Sequence, residues 1–151
     1  KLKIGNRKLI TPLSYSVYPS KEYLDLILEE GEKLFDKNFK PILNFLEKDE
    51  YNKIYKSVEY VFMNHYRSQA MGNIITVLYA GKKLFMSKKS TIYQQLKNYG
   101  CVIFAIEDII QNKIDVFKKL SSEEKRRNKS IVLKYFGKKK IKEKYKKLRN
   151  E

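Results

Sequence analysis

Asn64-His65-Tyr66-Arg67-Ser68-Gln69-Ala70-Met71-Gly72-Asn73 gathers into ten residues the side chains of this chain best suited to holding an anion. An apolar, aromatic run (Val58, Tyr60, Val61, Phe62, Met63) precedes it and reads as a buried strand. Ile74, Val77 and Leu78, closed by Gly81, follow as one face of a helix with a glycine stop. A strand, a polar turn and a helix whose first turn holds Gly72 and Asn73 form an anion site. The unbonded N–H groups and the helix dipole face the loop, and glycine lets a ligand approach the backbone. Arg67 offers a planar cation for a phosphate group, with His65 and Gln69 as further donors. The plain alternative is an ordinary strand-to-helix turn with Ser68 as N-cap and the rest solvated, and no glycine-rich fingerprint decides against it. His65, the only histidine, reads in isolation as a satisfied structural residue.

The elements that must position this loop follow from periodicity and turn residues. Lys8 to Ser14 is expected as a strand, and Ser20 caps a helix with Tyr23, Leu24, Ile27, Leu28, Leu34 and Phe35 on its apolar face. A short strand around Phe39 to Leu43, interrupted by Pro41, leads to a helix carrying Tyr51, Ile54 and Tyr55. After the central loop and its helix, Lys83 to Met86 is a further strand. Thr91 and Gln94 make a capping box for a helix ending at Gly100, with Ile92, Leu96 and Tyr99 inward. Cys101 to Ile106 is the last strand, apolar throughout and so covered on both faces. Ile109, Ile110, Ile114, Phe117 and Leu120 predict one more helix. Ser121 and Glu124 cap another through Tyr135 and Phe136 to Gly137, and Lys138 to Leu148 resumes as a basic helix. Strands alternating with single helices predict an α/β fold with a parallel sheet of about five strands. Ligands of such sheets bind beyond the carboxyl ends of the strands. Here those ends carry Ser14-Tyr15-Ser16, Asn64 to Arg67, Ser87 to Ser90 and Glu107-Asp108. The rim is polar and basic, which favours a phosphate-bearing ligand over a divalent metal cage.

With 151 residues, 42% hydrophobic and 13% aromatic, the chain is long enough for one domain with a real core. It starts with Lys and is expected to be a piece of a longer protein. No apolar run approaches the roughly 20 residues that span a bilayer. A single cysteine, Cys101, excludes a disulfide framework and a cysteine zinc site, and it reads as a small buried hydrophobe. Of the net charge of +16, +9 lies from Ser121 onward and +7 in the first 120 residues. The boundaries drawn from this are a domain over 1–120 and a basic helical tail over 121–151. Such a tail suits solvation, an acidic partner or an anionic membrane surface.

Laid out in this way, the chain resembles the TDP-N-acetylfucosamine:lipid II N-acetylfucosaminyltransferase (4-alpha-L-fucosyltransferase) family, in the C-terminal, donor-binding part of its GT-B architecture. Thr11-Pro12-Leu13-Ser14-Tyr15 resembles the family's Pro-Leu-Ser-Tyr strand end. Asn64 to Asn73 resembles its Asn-His-x-Arg-x-Gln-x-x-Gly-Asn loop, the most specific element of the match. Lys82 to Met86 and Thr91 to Leu96 resemble the strand and helix that follow, and Leu120 to Leu148 the closing helices. The resemblance implies a Rossmann-like, nucleotide-sugar-binding domain over 1–120, an upstream first strand being one reading. It implies transfer of an N-acetylated deoxyamino sugar from a TDP-sugar donor to a polyprenyl-diphosphate-linked saccharide acceptor, in synthesis of a bacterial surface polysaccharide such as enterobacterial common antigen. Neither metal nor other cofactor is implied, and the catalytic residues are not identified. Ser14, Tyr15, Asn64, His65, Arg67, Gln69, Gly72, Asn73 and Thr91 are the implied substrate-binding residues. The N-terminal half of the same enzyme, which binds acceptor, is the implied protein partner, without which this chain is inactive. The implied place is the cytoplasmic side of the inner membrane, held peripherally on an anionic surface. Where GT-B donor domains often place a ribose-binding Glu, the comparable face here offers Thr76.

The competing class is a basic nucleic-acid-binding α/β module. It would use the Lys-rich end, but no helix-turn-helix, RNP aromatic motif or zinc spacing supports it, so no specific nucleic acid is expected. A receiver-like signalling domain would need an acidic cluster at the strand ends, against the basic rim.

Overall fold

The computed structural model describes residues 4–13, 20–66, 70–138, 140, 142 and 146. It is α/β with parallel sheets, and the chain divides into two compact units, residues 1–51 and 52–151. The strands pair within these units. In place of the expected single sheet of about five strands there is one parallel sheet of two and another of three, and no ladder among the described residues joins them.

In the first unit β1 (Leu9–Pro12) pairs in parallel with β2 (Phe39–Ile42). Between them runs α1 (Lys21–Phe35), capped by the Ser20 hydroxyl, which accepts from the Tyr23 N–H at 3.3 Å. Leu24, Ile27, Leu28 and Phe35 of the predicted apolar face are partly buried, whereas Tyr23 and Leu34 are exposed. The helix meets β2 at Gly31, where an added Cβ would fall 2.4 Å from the Phe39 ring. That glycine, costly in a helix interior, is required by the approach. Next comes α2 (Lys48–Ser57), which the division between the units crosses.

The second unit is built from β3 (Tyr60–Met63), α3 (Met71–Tyr79), β4 (Lys83–Met86), α4 (Thr91–Asn98), β5 (Phe104–Ala105), α5 (Ile106–Ile110) and α6 (Ser122–Phe136). Its sheet order is β3-β4-β5, with Met63 opposite Met86 and Met86 opposite Ala105. Side chains alternate across a strand. One face of the central strand, Leu84 and Met86, packs with Ile74, Val77 and Leu78 of α3, Ile92, Tyr93 and Leu96 of α4, and Val132 of α6. The helix stops expected at Gly81 and Gly100 are present, both in the left-handed region (φ +69° and +87°). So is the capping box of α6: the Ser121 hydroxyl accepts from the Glu124 N–H, and the Glu124 carboxylate from the Ser121 N–H. Cys101 is buried, as expected, and burial pushes its thiol up to about 11.

Two expectations fail here, each through a polar partner distant in the chain. Cys101 to Ile106 is not a full strand: only Phe104 and Ala105 join the ladder. Val102 instead bonds a side chain, donating its N–H to Asn128 Oδ1 (2.7 Å) and accepting from Asn128 Nδ2 (3.0 Å). Asn128 is fully buried on α6, and its amide supplies the donor and acceptor that a neighbouring strand would supply. The helix predicted from Ile109 to Leu120 also stops early, at Ile110, and leaves Ile110 76% exposed. The segment beyond it lends its carbonyls to the second face of the sheet.

That face carries Phe62, Phe85 and Phe104, neighbours in register across the three strands. Phe62 and Phe85 stack at 4.7 Å, and Phe104 tilts against Phe85 at 5.6 Å. Lys83 is on the same face and only 4% exposed. Its ammonium donates to the carbonyls of Asp115 (2.7 Å), Val116 (3.1 Å) and Lys118 (2.8 Å), and it lies 4.5 Å from the Phe104 ring centre. Three donors therefore meet three acceptors. Burial pushes the Lys83 pKa down, while Asp115 and Glu124 act upward on it. Tyr60 adds a fourth tie to this segment, donating to the Phe117 carbonyl at 2.7 Å.

Lys83→Met keeps much of the side chain's apolar length but leaves these carbonyls without their cation. We expect a loss of about 2–4 kcal/mol in urea unfolding, with faster amide exchange in residues 115–118. Unchanged stability would mean that the segment is held by other contacts.

Candidate functional site

The strands of the second unit are parallel, so the loops leaving β3, β4 and β5 lie together at one end of the sheet. From β3 comes Asn64-His65-Tyr66, and from β4 Ser87-Lys88-Lys89-Ser90. After β5, α5 begins at once with Glu107 and Asp108 in its first turn. The Lys89 ammonium lies 5.8 Å from the centre of the Tyr66 ring, which joins the first two loops.

Of the residues picked out from the sequence, Asn64, His65, Gly72, Asn73 and Thr91 are described and lie at this end. Ser14, Tyr15, Arg67 and Gln69 lie outside the described residues, as does Ser68. Gly72 and Asn73 occupy the first turn of α3 as expected. The N-cap position, however, is Ala70, in the left-handed region at φ 57° and without a side-chain cap. The first-turn N–H groups of a helix have no intrahelical acceptor. Gly72 has an ordinary helical φ, and a Cβ built on it would meet nothing within 4 Å. Neither conformation nor packing in this structure asks for glycine there.

His65 is half-buried, and both of its ring nitrogens are shielded from solvent with no hydrogen-bond partner. A buried polar atom ordinarily has a partner, and leaving one without costs about 1–3 kcal/mol. A satisfied structural histidine is therefore not what stands here. Thr76 turns its hydroxyl back to the Gly72 carbonyl at 2.9 Å, within its own helix.

The β4 loop departs from expectation. Thr91 is the first residue of α4 and exposed, and Ser90, not Thr91, is the N-cap. The Gln94 side chain donates to the Lys88 carbonyl at 2.9 Å instead of closing a capping box. Ser90 is fully buried, with its hydroxyl unpartnered. Tyr93 belongs to the core, and burial pushes its pKa up.

Sequence reasoning missed how the carboxylates are used. Glu107 accepts from the Ser87 hydroxyl at 2.7 Å and from the Lys88 N–H at 3.1 Å, while the Lys88 ammonium pairs with Asp108 at 2.6 Å. Burial acts to raise the Glu107 pKa. Its hydrogen bonds with Ser87 and backbone N–H groups and the charge of Lys88 outweigh this, and the carboxyl ends below its ordinary value. The bond to Asp108 raises the Lys88 pKa. The signal was in the register: Met86 faces Ala105, which puts Ser87-Lys88 beside the residues that follow Ala105. The rim is thus basic in composition but internally neutralised at β4, and among the described residues the buried side-chain polar atoms there without a partner are those of His65 and Ser90.

Comparisons with family models, curated proteins and solved structures return no match for the chain.

Two outcomes follow from this geometry. A carboxylate with a depressed pKa stabilises the fold above its unfolded pKa, and that contribution is lost as pH falls through the folded value. Glu107→Gln should therefore lower stability by about 1 kcal/mol at neutral pH. The gap to wild type should close below the carboxylate range, as followed by thermal melts from pH 7 to pH 3. A gap that persists in acid would assign Glu107 a packing role alone. Gly72→Ala, in open space within a helix, should raise stability by about 0.5–1 kcal/mol; a loss would show that the position is structurally required.

Proposed function

We propose that this chain is the Rossmann-like donor-binding part of a GT-B glycosyltransferase that takes a TDP-activated, N-acetylated deoxyamino sugar and passes it to a polyprenyl-diphosphate-linked acceptor. The observation that carries the reading is the β3–α3 loop. There a histidine with two unpartnered buried nitrogens precedes a helix whose second residue is a glycine with open space above it. These are the residues of the Asn-His-x-Arg-x-Gln-x-x-Gly-Asn pattern on which the family resemblance rests. A parallel α/β unit with its loops gathered at the strand ends is the setting in which such a pattern binds diphosphates.

On this reading the first-turn N–H groups of α3 and Arg67 hold the diphosphate, and His65 donates a hydrogen bond to it or to the sugar. As the glycosidic bond to the donor breaks, negative charge grows on the departing TDP. Donors already aimed at that position stabilise it without reorganising. The nucleoside and acceptor contacts are completed by the N-terminal half of the enzyme, so the chain alone binds donor weakly and transfers no sugar.

Calorimetric titration with TDP tests this. We expect weak but measurable binding, reduced about tenfold or more in Arg67→Ala, since charge-assisted bonds contribute about 1.5–3 kcal/mol each. Binding should also weaken in Gly72→Ala, whose new methyl group enters the cradle while the fold stays intact. Equal binding of single-stranded oligonucleotides with no response to TDP would favour the nucleic-acid module. TDP binding insensitive to both substitutions would move the anion site off this loop.

A further inference from the structure

Between Glu59 and Glu107 the chain carries no carboxylate side chain, and none occurs from Lys125 to Lys142. The fold brings these two acid-free stretches together. α3 packs on α6 through the common core, and Tyr99, at the end of α4, stacks on Tyr135 of α6 at 3.9 Å. Within these two stretches Lys97, Arg126, Arg127, Lys129, Lys134 and Lys138 are exposed. The acidic side chains of α6 itself are Glu123 and Glu124 in its first turn, the latter held in the capping box. The nearby Glu59 is already paired with Lys125 at 3.4 Å and Lys119 at 3.8 Å. Among the described residues no carboxylate pairs with Arg126, Lys129 or Lys134.

Two apolar side chains stand in this cationic field. Leu133, one turn beyond Lys129 on the same face of α6, is 54% exposed, and Tyr79 at the end of α3 is 46% exposed. The Lys129 ammonium lies 4.8 Å from the centre of the Tyr79 ring, so the aromatic side chain belongs to the same patch. A purely cationic surface attracts any polyanion. Exposed leucine and tyrosine among the cations fit a bilayer interface in particular, where charge meets phosphate headgroups and apolar tips enter the acyl boundary. Among the described residues no helix is long and apolar enough to cross a membrane, so contact through these helices would be from the surface.

We infer that the outward face of α6 with the end of α3 — Arg126, Lys129, Leu133, Lys134 and Tyr79 — is a docking surface for an anionic lipid bilayer. The inference stands on charge and exposure and not on the sugar-nucleotide reading, so either can fail alone. It deepens that reading by naming the surface through which a lipid-linked acceptor's membrane would be met.

The test uses the full chain with phosphatidylglycerol-containing vesicles, phosphatidylcholine vesicles and single-stranded oligonucleotides. Wild type should co-sediment with the anionic vesicles, less so as salt is raised, and not with the zwitterionic ones. Each Lys or Arg near such a surface contributes about fivefold, so Arg126→Gln/Lys129→Gln/Lys134→Gln together should weaken vesicle binding about a hundredfold. The melting temperature and any TDP binding should remain as in wild type. The sequence has no tryptophan. Leu133→Trp therefore places one reporter on the face, and its emission should shift to the blue on anionic vesicles and be quenched by brominated lipids. Undiminished vesicle binding by the triple variant would overturn the assignment of this face. An unshifted tryptophan, or oligonucleotides bound more tightly than vesicles, would overturn the bilayer as its partner.

Discussion

The Lys83 ammonium is the charge on which the second unit turns. β4 is the middle strand of its sheet and all four of its residues are buried, so whatever it carries inward needs an internal partner. A lysine there is tolerable only if each of its three donors meets an acceptor in a fixed place. The backbone at Asp115, Val116 and Lys118 meets that need, with the Phe104 ring below the cation. The segment between α5 and α6 turns the carbonyls of residues 115, 116 and 118 onto this one ammonium, a convergence that carbonyls aligned along a helix axis do not make. Apolar residues at helical spacing between Ile109 and Leu120 lose to that requirement. On the opposite face the purely apolar packing of Leu84 and Met86 needs no such device, and helices cover it.

The same accounting of polar groups separates the loops at the strand ends. In the β4 loop the charged groups at 88, 107 and 108 are matched within the chain: Glu107 takes the Ser87 hydroxyl and the Lys88 N–H, and Asp108 takes the Lys88 ammonium, while the buried Ser90 hydroxyl has no partner. A closed network of this kind holds a loop in place and offers a ligand little. The β3 loop is the reverse case. His65 has two nitrogens cut off from water and from protein partners, and Gly72 leaves a helix terminus open. Position thus comes mainly from the β4 loop, and the unpartnered imidazole nitrogens stand in the β3 loop beside it.

Much of this was legible in the sequence wherever the cause was local. The Ser20 and Ser121 caps, the glycine stops at Gly81 and Gly100, the buried Ile74–Val77–Leu78 face and the parallel α/β class all follow from residue type and spacing within one element. What was not legible depends on partners distant in the chain. Asn128 replaces a strand neighbour for Val102, 26 residues away, and so shortens β5. Lys83 unwinds a predicted helix more than 30 residues away. The division of the strands into two sheets is likewise a matter of long-range pairing, which alternation of strands and helices leaves open. At the site, spacing placed Gly72 and Asn73 correctly, but the neutralised state of Lys88 required the register of β4 against β5.

That register changes what the net charge of +16 means. Read as composition, it invites a nucleic-acid partner. In the structure Lys88 at the rim is matched by a carboxylate and Lys89 lies by the Tyr66 ring, while Arg126, Lys129 and Lys134 lie on α6, in the helix layer that covers the sheet. Screening acts on exposed, unmatched charges far more than on a hydrogen-bonded pair. Attraction to a polyanionic surface and retention of a small anion at the strand ends would therefore respond differently to salt, the first falling steeply and the second little. On the two readings proposed above, the long-range charge and the donor site occupy different surfaces, so neither partner would compete for the other's groups.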